Sequence, residues 1–438
     1  MTARGSVVTG TRVRMGSAYP YRAAGVTADS TLAGSGGMEL VTVERVRAAQ
    51  KVLSTVVRQT PMEHSRVLGE WHGGEVFLKC ENLQRTGSFK IRGAYVRMHG
   101  LDAEERSRGV VAASAGNHAQ GVALGASLLG IPATVFMPRR APLPKLAATR
   151  GYGADVKLTG ESFDETLAAS IVFAQRTGAV FIHPFDHPDV IAGQGTIGLE
   201  ILDQVPNVGT VLLAAGGGGL VGGVAAAIKA LRPDVKVVAV QAEAAAALPE
   251  SLSTGSPVKL PGVRTMADGI AVAKPGALTF RHVRDLVDEV VTVTEDSIAR
   301  AVLVCMERAK QVVEPAGAAA VAALIQHPGR FPGPVVAVLS GGNVDPLLLM
   351  QIMRHGMTAA GRYMTLRLRI DDKPGSLAGL LTMLGDLGAN VVDVEHTRVS
   401  ETLRIGEAEV SLNLETRGVE HCSELVTALR AASFTVLR

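Results

Sequence analysis

The stretch from Val208 to Ile228 carries no charge, and as a helix it would be long enough to cross a bilayer. Four consecutive glycines, Gly216 to Gly219, cut it in half. A helix with four adjacent glycines has little propensity and no side chains to pack there. The stretch therefore reads as a strand, "TVLLAA", a glycine loop, and an alanine-rich helix, "LVGGVAAAIKAL". A strand that is apolar at every position, with no polar alternation, needs cover on both faces. This one unit already calls for a parallel sheet wrapped by helices.

The same alternation recurs from about residue 75. "GVVAAS" is followed by "HAQGVALGASLLG", and "ATVFM", "KVVAV", "EVVTV" and "PVVAVLS" are further continuous apolar runs. The pattern predicts an α/β fold with an open parallel sheet. After "GRYM" the pattern changes: "TLRLRI" alternates, and "DDKPGSLAGLLTMLGDLGAN" is a helix with Pro374 near its start and Gly388 near its end. "VVDVEHTRV", "EAEVSLNLE", "VEHCSELVTALRAA" and "FTVLR" complete βαββαβ, a separate α+β, ferredoxin-like domain.

At the other end, residues 1–37 are rich in Gly, Ala, Ser and Thr, contain Arg4, Arg12, Arg14 and Arg22, and hold no apolar run suited to a signal peptide. They are expected not to fold. Helical spacing begins at Met38, so the extension reads as the product of an upstream translation start or as a targeting arm, with the upstream start the favoured reading. The expected division is thus an extension at 1–37, a large domain at 38–360 with a smaller subdomain inserted at roughly 90–185, and a terminal domain at 361–438.

With 438 residues, 47% of them hydrophobic and 19% charged, the chain can bury a core of that size. Its net charge of +3 comes from interleaved acids and bases, which excludes a basic stripe for nucleic acid or an anionic membrane. Small molecules are the expected partners. Cys80, Cys305 and Cys422 lie far apart without metal-ligand spacing, as expected of structural thiols in a cytoplasmic protein.

Five short motifs can carry chemistry. "TGSFKIRG" places Lys90 after an aromatic residue and a Thr-Gly-Ser turn, either as a surface cation or as an amine held out of water. The loop "AAGGGGLVGG" follows a strand and opens a helix, where backbone N–H groups and the helix dipole suit a phosphate. Its literal pattern Gly217-x-Gly219-x-x-Gly222, with Glu243 after the next strand, equally suits a dinucleotide, and close helix packing is a third reading. "SAGNHAQG" (residues 114–121) offers Ser114, Asn117 and free N–H groups to a carboxylate, or simply a helix cap, and His118 suits a core position as well as a catalytic one. "LSGGNVD" puts Ser340 at the carboxyl end of a parallel strand, where such folds bind ligands, although Gly341 and Gly342 also punctuate a loop. In "VVEPAGAAA", Glu314 precedes a helix-starting proline, and the helix dipole explains it without any function.

In the order "SFK", "SAGNHAQG", "GGGGL", "EPAGA", "SGGN", these motifs resemble the pyridoxal-phosphate enzymes of the tryptophan-synthase-β type (fold type II), and within them the threonine dehydratases, or threonine ammonia-lyases. The resemblance covers about Val41 to Arg354, and the terminal unit with "DDKPGSLAGLL" resembles an ACT domain, an amino-acid-sensing module. The resemblance implies pyridoxal 5'-phosphate as cofactor, held by Lys90 at its aldehyde, with Phe89 beside it and Ser88 fixing the turn. Asn117 would meet the ring hydroxyl oxygen, Gly216, Gly217, Gly218, Gly219 and Leu220 the phosphate, and Ser340 the ring nitrogen. Ser114, Ala115, Asn117 and His118 would hold the carboxylate of L-threonine or L-serine, and Lys90 would remove the α-proton ahead of loss of the β-hydroxyl. From L-threonine the products would be 2-oxobutanoate and ammonia, at the first step of isoleucine biosynthesis.

Two departures from the related serine racemases bear on this. Ala115 stands where they carry a serine, which disfavours racemisation, and Gln241 and Ala246 stand where carboxylates would bind a divalent cation, so no metal is expected even with Glu243 nearby. The ACT resemblance implies an effector, isoleucine, at the Asp371–Leu377 loop, with a structural ACT domain that binds no ligand as the alternative, and a homodimer or homotetramer. Competing expectations are a serine dehydratase or racemase, a nicotinamide-dependent oxidoreductase using residues 217–222, and a catalytically silent sensor on the same scaffold.

Overall fold

The computed structural model describes residues 39–398 and 403–437, so the expected disordered extension at 1–37 lies outside the described residues. Val208–Ile228 resolves as the sequence indicates: strand Thr210–Ala214, a glycine loop, and helix Gly219–Leu231. That strand is central in a six-stranded sheet ordered Met62–His64, Val76–Lys79, Val335–Val338, Thr210–Ala214, Lys236–Ala242, Glu289–Val293. All neighbours pair in parallel except the first two, which are antiparallel.

Both faces of this sheet are buried. Leu212, Ala214, Val238, Val240, Val335 and Ala337 point into one core, which they share with helices Glu295–Arg308 and Pro315–Gln326. Val211, Leu213, Val237, Ala239, Val336 and Val338 point into another, with Ile197, Ile201, Val221 and Val224. The period-2 alternation of side chains along a strand thus feeds two apolar layers, which is why these runs are apolar on both faces, with few polar residues such as Gln241 and Thr292 among them.

A second, all-parallel sheet is ordered Asp155–Leu158, Ala133–Met137, Val110–Ala113, Val180–Phe181. Helix Asn117–Leu129 packs on it and against helix Lys90–His99. The approach is close: a Cβ on Gly121 would lie 3.0 Å from the Lys90 carbonyl carbon. The small residue at this crossing therefore lets the helix that begins at Asn117 lie directly on the backbone of Lys90.

From Tyr363 onward the chain forms an antiparallel sheet ordered Asn390–Thr397, Glu407–Glu415, Tyr363–Asp371, Thr435–Leu437. Helices Ser376–Asp386 and Val419–Ala431 cover one face through Leu366, Leu368, Leu380, Leu412 and Leu425. The observed order of elements is βαββαβ. Helix Pro346–Ala359 joins this unit to Ser340–Asn343, starting just past that loop under an Asp345 cap. No helix among the described residues is long and apolar enough to cross a membrane.

Candidate active site

Lys90 opens helix Lys90–His99, and its half-buried Nζ donates to the Pro184 carbonyl at 2.9 Å, with the Phe89 ring 5.2 Å away. Burial pushes the amine down to about 8 from the usual lysine value, against an opposing pull from the Glu314 carboxylate. The turn before it is held under strain: Thr86 has φ +64°, rare for a β-branched residue, and Gly87 has φ +68°. Asn343 Nδ2 fixes that turn by donating to the Thr86 carbonyl at 2.6 Å. Any side chain on Gly87 would collide with the Asn343 amide, so the Thr-Gly pair is the form the turn permits.

Two strand ends then meet at Lys90. The Phe89 N–H donates to the Ser340 carbonyl at 3.3 Å, and Ser88 bridges to Gly341. Asn117 Nδ2 donates to Glu314 Oε1 at 2.5 Å, while Asn343 Nδ2 donates to Asn117 Oδ1 at 2.8 Å. Glu314 is the cap residue of helix Pro315–Gln326 but makes no side-chain capping bond. Its carboxyl turns inward instead, and burial raises it to about 7, with Asp268 adding to the rise and Asn117, Lys145 and Lys90 opposing it. Helix-dipole compensation, the sequence reading of Glu314, is therefore not what its side chain does.

In "SAGNHAQG" the cap of helix Asn117–Leu129 is Gly116 rather than Ser114 or Asn117. Ser114 Oγ accepts from the Gly116 N–H at 3.1 Å, and half-buried Ala115 packs against the small-sheet core. His118 is buried, and its Nε2 donates to the Ile182 carbonyl at 2.7 Å. Burial drives this ring down to about 3, with the Lys90 charge adding to the shift, so it is neutral and its proton sits on Nε2. The side chain is a satisfied core group, which leaves only the backbone N–H free to meet a ligand.

The glycine loop reaches the site through residues 183–186. While Pro184 accepts from Lys90, the next residue, Phe185, lies against the loop: a Cβ on Gly217 would fall inside its ring, and one on Gly219 would lie 2.9 Å from its Cβ. Gly218 adopts φ +94° and leads into a helix of 13 residues. Leu220 turns its buried side chain into the sheet core. Ser340 is buried, as is Ser88, whose Oγ has no protein hydrogen-bond partner. The segments carrying Lys90, Asn117, Gly216–Gly219, Glu314 and Ser340 therefore all converge on one place.

Glu314, Asn343 and Pro184–Asp186 are contacts the sequence did not single out for a role. The pairs they form are separated by 94 to 257 residues, and no local spacing announces them. One consequence is measurable. Amine reagents attack the neutral form, so modification of Lys90 in the ligand-free chain is expected to rise as pH increases and to level off above about 8. Ordinary lysines keep rising toward about 10.4. Peptide-resolved labelling rates check this; a Lys90 rate still climbing tenfold per unit above pH 9 contradicts it.

Residues 53–341 match the family of pyridoxal-phosphate dependent enzymes. The L-threonine ammonia-lyase of Thermotoga maritima is 49% identical over 397 residues, covering 91% of this chain and 99% of that one. An alignment of that length exceeds the 360 residues before Gly361, so it extends into the βαββαβ unit. Among solved structures, maize serine racemase matches with a TM-score of 0.69 and 38% identity, covering 72% of this chain and 97% of that one. The processed form of threonine deaminase isoform 2 from Solanum lycopersicum matches with a TM-score of 0.69 and 35% identity, covering 75% of this chain and 95% of that one.

Proposed function

The chain belongs to the pyridoxal-phosphate dependent enzymes, and we propose that it is a threonine ammonia-lyase, converting L-threonine to 2-oxobutanoate and ammonia. The observation that carries this reading is the convergence of a lowered lysine amine, a helix-opening glycine loop and a buried serine at the end of strand Val335–Val338. The nicotinamide reading used the glycine run and Glu243 and left Lys90 and Ser340 without a role.

The residues fit the cofactor. Gly216–Gly219 carry no side chains of their own and lead into the positive end of a helix, where Leu220 adds its N–H, so these five would hold the phosphate. Lys90 would hold the aldehyde, Asn117 the ring hydroxyl oxygen, Ser340 the ring nitrogen, and Phe89 would pack against the ring. Ser88 brings a buried hydroxyl without a protein partner to the same place. Pyridoxal phosphate, when bound, supplies the conjugated system that accepts the charge left at the substrate Cα.

The chain's own residues do the rest. The backbone N–H groups of Ala115, Asn117 and His118, with the Ser114 hydroxyl and Asn117, bind and orient the substrate carboxylate, while those of Ser114 and Gly116 are taken up by the Phe136 carbonyl and Ser114 Oγ. Lys90 Nζ takes the α-proton; an amine with a pKa near 8 does this far more readily at neutral pH than an ordinary lysine. Glu314 positions Asn117 through their 2.5 Å hydrogen bond. Ser340, as a neutral hydroxyl, does not hold the ring nitrogen protonated as an aspartate would, which favours prompt loss of the β-hydroxyl over transamination. Ala115 offers no proton to the opposite face of the substrate, which favours elimination over racemisation.

We further assign residues 38–360, including the smaller subdomain at roughly 90–185, to catalysis and 361–438 to an ACT-like regulatory domain. Isoleucine is its proposed effector, at the Asp371–Leu377 loop, where Gly375 at φ +90° opens helix Ser376–Asp386. An effector acts only by differential affinity for two states, typically about 1–3 kcal/mol; helix Pro346–Ala359, running from the Ser340–Asn343 loop to this domain, supplies a connection. A cytoplasmic homodimer or homotetramer is part of the same proposal. Keto-acid release and D-serine formation, assayed on L-threonine and L-serine with and without isoleucine, test the reading. Keto acid without D-serine is expected, and comparable racemisation would overturn it.

A further inference from the structure

Residues 183–186 form a short bridge with three consecutive contacts. Pro184 takes the Lys90 amine at its carbonyl, and Phe185 lies on Gly217 and Gly219. The next residue, Asp186, crosses to a different element. Its Oδ2 accepts from the Ala277 N–H at 3.0 Å, and its Oδ1 accepts from Leu278 and Thr279 at 3.0 and 2.9 Å. These are the first three N–H groups of helix Ala277–Leu286, whose own cap residue, Gly276, has no side chain to offer. Asp186 therefore caps that helix from 91 residues away.

The capped turn in turn grips the glycine loop. Fully buried Thr279 donates its hydroxyl to the Gly217 carbonyl at 2.6 Å, and a Cβ on Gly218 would lie 3.0 Å from the Thr279 Cβ. Gly276 is matched to this arrangement, because any side chain there would overlap the Asp186 carboxyl. His183 braces the bridge from the other end, its Nδ1 accepting from the Asp186 N–H at 2.8 Å. The loop is thus held on one side by Phe185 and on the other by Thr279, whose turn is placed by the Asp186 carboxyl.

We propose that Asp186 is a positioning residue for the cofactor phosphate: by capping helix Ala277–Leu286 it fixes Thr279, and through Thr279 the backbone of Gly217, so that the loop N–H groups converge on the phosphate. It touches neither substrate nor reacting atoms. The inference rests on the reading that Gly216–Leu220 hold a phosphate, and it adds that the strength of that hold is set from a separate helix. Removing an N-cap carboxylate loosens the first helical turn, so the loss falls on the phosphate and not on the aldehyde end.

The test separates those two ends. The full-length chain, resolved from its cofactor, is titrated with pyridoxal 5'-phosphate and with pyridoxal, and the pyridoxal dissociation constant divided by that of pyridoxal 5'-phosphate measures what the phosphate contributes. In wild type a ratio well above one is expected. Asp186→Ala is expected to lower it by about fivefold or more, the size of effect a lost cap produces. Asp186→Asn keeps the oxygen that serves Leu278 and Thr279 and should restore most of the ratio. Gly276→Ala, which displaces the carboxyl without removing it, should behave like Asp186→Ala and serves if that variant does not fold. A wild-type ratio near one overturns both the phosphate reading and this proposal. A large wild-type ratio left unchanged in Asp186→Ala or Gly276→Ala, or both ligands weakened equally, overturns the positioning role alone.

Discussion

Replacing Lys90 with alanine is expected to lower keto-acid release from L-threonine by at least about a thousandfold while leaving the protein folded. General base catalysis by a placed side chain contributes about 10²–10⁴, and the same amine also anchors the cofactor, so the substitution removes both roles. The fold should survive because the amine makes one hydrogen bond, to the Pro184 carbonyl, and is already disfavoured as a cation by burial. Activity measured with saturating cofactor, beside far-ultraviolet circular dichroism of the same sample, makes the comparison. Added alkylamines of similar basicity should recover part of the loss in Lys90→Ala, because a free amine can then take the α-proton. Activity within a few-fold of wild type would show that the base lies elsewhere.

The largest effect on stability is expected two residues further along. Arg92 is fully buried and forks onto two carboxylates: Nε and Nη2 donate to Glu81 at 2.9 and 2.7 Å, and Nη1 donates to Glu200 at 2.6 Å. Lys79, also fully buried, donates to Glu200 at 2.6 Å and to Gln204 at 2.8 Å. Two cations thus face two carboxylates. Burial alone would raise the Glu81 carboxyl, but the charge and hydrogen bonds of Arg92 outweigh it and hold the group below its ordinary value.

Arg92→Met keeps the stem and removes the charge, stranding Glu81 in the core. Breaking such a pair from one side costs about 3–5 kcal/mol. Urea denaturation of Arg92→Met should show a loss of that size, and adding Glu81→Gln should return part of it, because the stranded charge goes with it. A loss below about 1 kcal/mol would mean that water reaches the cluster. Since helix Lys90–His99 begins at the reactive amine, the cluster also fixes that amine's place in the cleft.

How legible this was in the sequence depended on whether the determining pattern was local. Strands covered on both faces announce themselves as apolar runs, and Thr210–Ala214, Lys236–Ala242 and Val335–Val338 lie where those runs fall. Met62–His64, Val76–Lys79, Asp155–Leu158 and Val180–Phe181 went unread. All are four residues or shorter, three lie at sheet edges and three carry charges, so none presents such a run. The terminal βαββαβ unit was fully readable because its alternating strands and periodic helices follow one another directly.

In the site, each motif could be found singly but not the contacts between motifs. Glu314 looked like a helix-end charge, whereas its carboxyl bonds Asn117 from 197 residues away. Likewise Asp186 satisfies a helix it does not belong to, and Arg92 finds partners 11 and 108 residues distant. Long-range polar pairs of this kind are set by packing once the sheets have formed, and no periodicity encodes them.

Borohydride reduction of the cofactor-loaded enzyme, followed by peptide mapping, tests the central assignment most directly. The pyridoxyl group is expected on the peptide containing Lys90 and on no other. A stable adduct mapped to a different lysine, or none after complete reduction, would contradict the assignment of Lys90.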